Sequence, residues 1–386
     1  MDVELLRTGP DYDLVCLSHL RWDFVYQRPQ HLLSRCARDR RVFFVEEPLG
    51  ADAAPHLDFS RRDCGVDVVV PHLPHGLDDE ECETMLRSLI DEWVHREAMH
   101  SYVLWYYTPM ALGFTRHLRP AASVYDCMDE LSAFFGASAV LRERDRELLR
   151  RADLVFTGGR SLHEAKRELR PTAHLFPSSI DAAHFRRARH SQLDPPDQAA
   201  LRRPRLGYFG VIDERLDLEL LAGIADLRPD FELVMIGPVA KIDPATLPRR
   251  PNIHYLGQKP YAELPAYIAG WDAALMPFAH NASTRYISPT KTPEYLASGR
   301  PVVATALRDV VDPYGVQGLV TIAGSPEAFV AAVEVELELG ATRRAEWLRR
   351  VDAFLARDSW DHTWSQMDAL IDAAVHESRA ATRRRA

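Results

Sequence analysis

Lys291 and Glu294 stand one helical turn apart, behind a polar loop and ahead of an apolar run. Ser288, Pro289 and Thr290 read as a helix start: a hydroxyl cap, then a proline whose missing N–H costs nothing at the first position. A helix N-terminus after a polar loop presents N–H groups and the positive end of the helix dipole, which suits a phosphate. Lys291 adds a cation in the first turn. Glu294 is placed to accept hydrogen bonds from a diol such as a ribose. The same residues also fit a plainer role, a capped helix with Lys291 and Glu294 solvated.

A second set of reactive side chains follows an expected strand over Ala122–Tyr125, namely Asp126, Asp129 and Glu130. Carboxylates just beyond a strand's C-terminal end suit general acid/base work or sugar hydroxyls, and they also suit helix capping. Arg28 and His31 fall in the loop after another expected strand, Asp13–Ser18. Open α/β sheets bind ligands at that end. The pair is therefore a candidate for acceptor or phosphate contact, with a surface ion pair as the plainer role for Arg28.

These side chains need a scaffold, and the chain alternates strand and helix patterns throughout. In the first half, strands are expected over Asp13–Ser18, Arg41–Val45, Asp67–Val70, Tyr102–Tyr106, Ala122–Tyr125, Ala152–Thr157 and His174–Pro177. Helices are expected over His31–Ala37, Leu141–Arg151 and Ser161–Arg167. Ala188–Pro204, with Pro195 and Pro196 and little apolar periodicity, reads as a hinge. A fresh series of strands follows at Arg205–Gly210, Phe231–Gly237, Ile253–Leu256, Asp272–Pro277 and Val302–Thr305. Helices are expected over Leu216–Ile224, Lys291–Ala297, Glu327–Glu338, Arg343–Ala356 and Ser359–His376. Gly299 suits the left-handed position after a helix end. Two series of this kind predict two doubly wound parallel α/β sheets, over residues 1–190 and 205–356.

The stretch Pro251–Thr305, with Gly257, Lys259, Ser288–Lys291 and Glu294, resembles the nucleotide-sugar site of the large retaining group of GT-B glycosyltransferases. The resemblance extends over nearly the whole chain. It implies the GT-B fold, two Rossmann-like domains facing an interdomain cleft, with a last helix in 357–386 crossing back to the first domain before a basic tail. By this resemblance the donor phosphates sit on Ser288, Pro289, Thr290 and Lys291, and Glu294 holds the ribose. Gly210 lets backbone approach the phosphates, Arg215 binds the diphosphate, and backbone from Leu256 to Lys259, Gly257 included, holds the nucleobase. Asp126 and Asp129 match the position near the acceptor and the anomeric carbon, and Arg28 and His31 fall on the acceptor side. The activity implied is metal-independent, retaining transfer of a sugar from a nucleoside diphosphate sugar, taken as a UDP-sugar, to a glycan, glycolipid precursor or small molecule. The donor is a co-substrate, and no cofactor is expected. One position departs from the group: Tyr286 stands where a second glutamate is usual, eight residues before Glu294. That departure keeps two alternatives open, a nucleotide-sugar epimerase on the same fold and a non-catalytic nucleotide-sugar-binding subunit.

Composition narrows the class. The 386 residues suffice for two α/β domains. Net charge is −9, from 47 basic and 56 acidic residues, and it is spread along the chain, which argues against an electrostatically driven nucleic-acid binder. Five cysteines lack metal spacing and leave an odd one over, as expected for reduced thiols in the cytoplasm. Asp2 and Glu4, with no apolar run beside them, give no signal-peptide pattern. Arg383–Arg385 is a short basic run that fits either a solvated tail or a weak peripheral contact with anionic lipid.

Overall fold

The structure, a computed structural model, describes residues 10–190 and 193–385. Asp2, Glu4, two positions of the expected hinge and the side chain of Arg385 lie outside the described residues. The described chain divides into two compact units. One holds residues 10–158, Leu162–Phe176 and the chain from Asp361 onward; the other holds Gly159–Ser161 and Pro177–Trp360.

The strands of the first unit are β1 (Asp13–Leu17), β2 (Val42–Val45), β3 (Leu49–Ala51), β4 (His56–Arg61), β5 (Val66–Pro74), β6 (Tyr102–Tyr106), β7 (Ala122–Cys127), β8 (Leu154–Thr157) and β9 (His174–Leu175). They form one sheet in the order β3-β5-β2-β1-β6-β7-β8-β9. β1, β2 and β6 are buried at every position, as strands covered on both faces must be. β1 pairs in parallel with both β2 and β6. The strand order therefore reverses beside β1, at the kind of point where open α/β sheets take ligands. One strand departs from the purely parallel expectation. β4 runs antiparallel to β5 along its whole length, His56 opposite His72 through Arg61 opposite Asp67.

Asp79–Arg96, where no element was expected, is a helix. Its start is a reciprocal cap: Glu81 N–H donates to Asp78, and Asp78 N–H donates back to Glu81. Leu86, Ile90 and Trp93 form its buried stripe. The final helix, Trp360–Arg385, contributes its length from Asp361 to this unit. Asp361 accepts from Arg35 and Arg38, Asp368 pairs with Arg40 at 2.8 Å, and Asp372 accepts from the Tyr12 hydroxyl at 2.7 Å. Trp364 packs near Trp105. Both Trp360 and Trp364 are buried anchors.

The second unit contains β10 (Arg205–Phe209), β11 (Glu232–Ile236), β12 (Ile253–Gly257), β13 (Ala273–Met276), β14 (Val302–Ala304) and β15 (Thr321–Ile322). Their order is β12-β11-β10-β13-β14-β15, and every pair is parallel. Numbered within the unit this is 3-2-1-4-5-6, the Rossmann order, with its switch point between the first and fourth strands. β10, β11 and β13 are wholly buried. The helices of this unit include Leu218–Leu227, Leu264–Ala269, Lys291–Ala297, Pro326–Leu337 and Ala341–Leu355.

Candidate active site

The switch point of the second unit is built by the carboxyl ends of β10 and β13. The loop after β10 and the loop after β13 are laced together. Asp217 N–H donates to the Pro277 carbonyl at 2.8 Å, Ala279 N–H to Arg215 at 2.8 Å, and Asn281 Nδ2 to Glu214 at 2.9 Å. Thr284 closes the second loop on itself, its hydroxyl donating to the Ala279 carbonyl at 2.6 Å. The helix Lys291–Ala297 leaves this loop. Its Tyr295 hydroxyl accepts from Phe209 N–H at 2.9 Å, which ties the helix to the end of β10.

Three glycines line the edge of this region, one at the end of each neighbouring strand: Gly210 after β10, Gly237 after β11 and Gly257 at the end of β12. Their φ angles are +136°, +144° and +71°, values that disfavour any side chain. A Cβ on Gly210 would lie 2.1 Å from Lys291 Cε and 2.6 Å from its Nζ. The ammonium therefore lies directly over the Gly210 backbone, with the Tyr208 ring 5.6 Å away. A Cβ on Gly237 would lie 1.9 Å from the Gly210 carbonyl oxygen. Gly237→Ala is therefore expected to cost about 1 kcal/mol of stability or more and to weaken ligand binding at this edge; thermal unfolding and nucleotide titration of the variant check both. Gly237 was expected only as a strand end. The signal that could have found it is the repeated apolar–glycine ending of all three strands.

Glu294 sits one turn into the helix and is buried. Its Oε2 has no hydrogen-bond partner among the described residues. Burial pushes its carboxyl up to about 8, against the downward pull of Lys291. A buried, unsatisfied carboxyl is costly unless a donor arrives from outside. The solvated role for Glu294 is thereby excluded.

The helix start differs from expectation. The residue preceding the helix is Thr290, in α-helical backbone geometry and without a side-chain cap. Ser288 does not cap, and Pro289 is not the first helical residue; its carbonyl instead accepts from Thr292 N–H at 3.2 Å. Pro293 occupies the third helical position, so the first turn has one N–H fewer than assumed. Ser288, Pro289 and Thr290 thus form a half-buried approach to the site, and the cation beside Gly210 is the feature that favours a phosphate. Arg215 is held by Asp213, with Nε 3.0 and 3.1 Å and Nη2 2.7 Å from its oxygens. Asp213 is buried, so the guanidinium is fixed in orientation. The Lys259 side chain is committed to Asp197 at 2.6 Å; only its backbone suits the nucleobase role.

In the first unit the two expected catalytic aspartates part company. Asp126 is fully buried, and its two oxygens accept from Arg28 Nε and Nη2, both at 2.9 Å. Arg28 Nη1 donates to the Phe176 carbonyl at 2.8 Å. Burial pulls the Arg28 guanidinium down, but the Asp126 charge outweighs it and leaves Arg28 above its ordinary value. Each thus satisfies the other inside the core, a structural role that weighs against Asp126 as a catalytic carboxylate and Arg28 as an acceptor contact. His31 is also buried, its ring edge-on to Tyr26. Glu130 is bound to Lys166 at 2.8 Å, alongside Asp145. Asp129 and Glu130 are both half-buried, but of the three carboxylates Asp129 alone has no side-chain hydrogen bond or ion pair among the described residues.

Residues 203–338 match the family described as glycosyl transferases group 1. A protein of Bacillus subtilis (strain 168), provisionally named as the teichuronic acid biosynthesis glycosyltransferase TuaH, is 28% identical over 203 residues, 48% of this chain and 50% of that protein. The match thus spans about half the length of this relative. Sucrose-phosphate synthase from Thermosynechococcus elongatus superposes with a TM-score of 0.69 at 14% identity, over 94% of this chain and 98% of its own. Anabaena HepE in complex with UDP-glucose does so with a TM-score of 0.68 at 14% identity, over 94% and 99%. At these identities the structural likeness establishes the fold, which is GT-B.

Proposed function

We propose that this GT-B chain, which carries a glycosyltransferase group 1 segment in its second unit, transfers a sugar from a UDP-sugar to a hydroxyl of a glycan or glycolipid precursor. The observation that carries the proposal is the buried carboxyl of Glu294, its Oε2 without a hydrogen-bond partner among the described residues, one turn from Lys291, whose ammonium covers Gly210 at the Rossmann switch point. A ribose diol supplies two O–H donors to that carboxyl, and a diphosphate brings negative charge beside the Lys291 ammonium at a glycine edge. The HepE structure, solved with UDP-glucose, supports the donor class.

In the reaction, the bond from the anomeric carbon to the diphosphate oxygen breaks and its electron pair leaves with the diphosphate. The acceptor oxygen forms the new bond and gives up its proton. Lys291, with Arg215 oriented by Asp213, stabilises charge that grows on the diphosphate in the transition state. Asp129 takes the acceptor's proton. Retention at the anomeric carbon is the outcome that the resemblance supports.

The test is UDP release from a panel of UDP-sugars, with and without candidate acceptors. Asp129→Asn is expected to lower turnover by about 10²–10⁴-fold while UDP affinity stays within twofold. Parent-level turnover in Asp129→Asn removes that residue from the chemistry. Absence of UDP release from every donor, under conditions where UDP binds, leaves a binding protein in place of the enzyme.

A further inference from the structure

In the first unit, the antiparallel pair β4–β5 brings together three side chains that no sequence spacing suggested. His56 lies directly opposite His72 in the strand register. Asp58 is two residues along β4 from His56, so its side chain shares their face of the sheet. The two imidazole rings stack with centroids 4.8 Å apart and planes 6° from parallel. Asp58 Oδ2 is 3.1 Å from His72 Nε2, and Oδ1 is 3.6 Å from His56 Nε2. One ligand atom from each of the three lies within 4.8 Å of the others.

His56 Nδ1 is 2.8 Å from the Ala54 carbonyl. A carbonyl only accepts, so Nδ1 carries the hydrogen and Nε2 is the nitrogen left for a ligand. That Nε2, His72 Nε2 and the Asp58 carboxylate converge, and a divalent cation there would take one ligand atom from each. The Nδ1–H to carbonyl bond is also the outer contact that commonly fixes a metal-bound histidine's tautomer.

We propose that His56, Asp58 and His72 bind a first-row divalent transition ion, with zinc the best match. Imidazole and carboxylate are borderline ligands, suited to zinc and poorly suited to magnesium or calcium. A tetrahedral zinc with ligand atoms 2.0–2.1 Å away requires them to be about 3.3–3.5 Å apart. The two nitrogen–oxygen distances already bracket that value, and closing the remaining pair takes rotation of side chains that are not buried. Three protein ligands leave a fourth position for water or an external donor. The ion ties the first residues of β4 to β5, the strand β4 pairs with.

The test uses the untagged full chain, stripped with chelator, in calorimetric titration with zinc chloride. The chain has 16 histidines, so stoichiometry must be assigned by substitution. One equivalent is expected to bind, and His56→Ala, His72→Ala and Asp58→Asn are each expected to weaken that equivalent by roughly 10–100-fold or more. Asp58→Asn changes an exposed side chain without altering its size, so it keeps the measurement interpretable if a histidine variant folds poorly. Zinc is also expected to raise the thermal midpoint of the parent and not of His56→Ala/His72→Ala. Zinc affinity and midpoint shift that persist unchanged in Asp58→Asn and in the double histidine variant overturn the proposal, as does failure of the parent to bind zinc. UDP affinity plays no part in the outcome.

Discussion

Asp126→Ala is expected to destabilise the first unit by about 3–5 kcal/mol, the usual cost of leaving one member of a buried ion pair without its partner. Arg28 is nearly without solvent, and three of its N–H groups are committed: two to Asp126 and one to the Phe176 carbonyl. Removal of Asp126 strands that guanidinium in an apolar sheet edge beside Tyr107, whose phenol burial and Asp126 already push well above its ordinary range. Arg28→Met combined with Asp126→Leu is expected to recover most of the loss, because the desolvation penalty disappears along with the attraction. Denaturant unfolding of the two single variants and the double variant gives the coupling directly. The double variant also separates structure from chemistry: if it folds and still turns over donor, Asp126 is outside the reaction.

Glu294→Ala is expected to weaken UDP binding by roughly 1.5–3 kcal/mol, the scale of hydrogen bonds to a charged group, or about 10–150-fold in affinity. The pH dependence carries a further signature. Burial holds the free carboxyl up to about 8. Two ribose donors favour the carboxylate over the acid, so binding lowers that value and releases a proton. UDP affinity should then rise as pH increases toward about 8 and level off above it, and Glu294→Gln should flatten the rise. Stability runs the other way. The folded carboxyl titrates above its unfolded counterpart, so its contribution is fully present below about pH 4.5 and is lost as pH rises through about 8. Glu294→Gln should therefore raise the thermal midpoint of the ligand-free protein at pH 8–9 and leave it near the parent's at pH 4. Unchanged UDP affinity in a folded Glu294→Ala protein would remove the ribose role.

Much of the scaffold was legible because its strands are buried on both faces and read as short apolar runs. Tyr102–Tyr106 and Lys291–Ala297 form with the expected bounds, and Gly299 follows its helix at φ +77°. What was not legible is mainly what register and distance create. Arg28 and Asp126 are 98 residues apart in sequence, and nothing local in either segment announces that they neutralise one another. Strand His56–Arg61 alternates weakly and is mostly exposed, so neither its antiparallel pairing nor the His56–Asp58–His72 group could be read beforehand. The helix Asp79–Arg96 did carry a usable signal, the Asp78/Glu81 cap ahead of Leu86, Ile90 and Trp93. At the site itself, Ser288 and Pro289 imitate a capped start, but the helix begins at Lys291 behind an uncapped Thr290, with Pro293 at its third position. Local propensity placed the element correctly and its cap wrongly.

The most direct test of the central claim is calorimetric titration of the full chain with UDP, GDP, ADP and UMP, repeated with Lys291→Ala. Selective binding of UDP, weaker binding of UMP for want of the second phosphate, and loss of that difference in Lys291→Ala is the expected result. It supports a diphosphate over Gly210 beside Lys291. Absence of binding by all four nucleotides, or UDP affinity indifferent to Lys291→Ala in a folded protein, would contradict the donor site and with it the proposed transfer reaction.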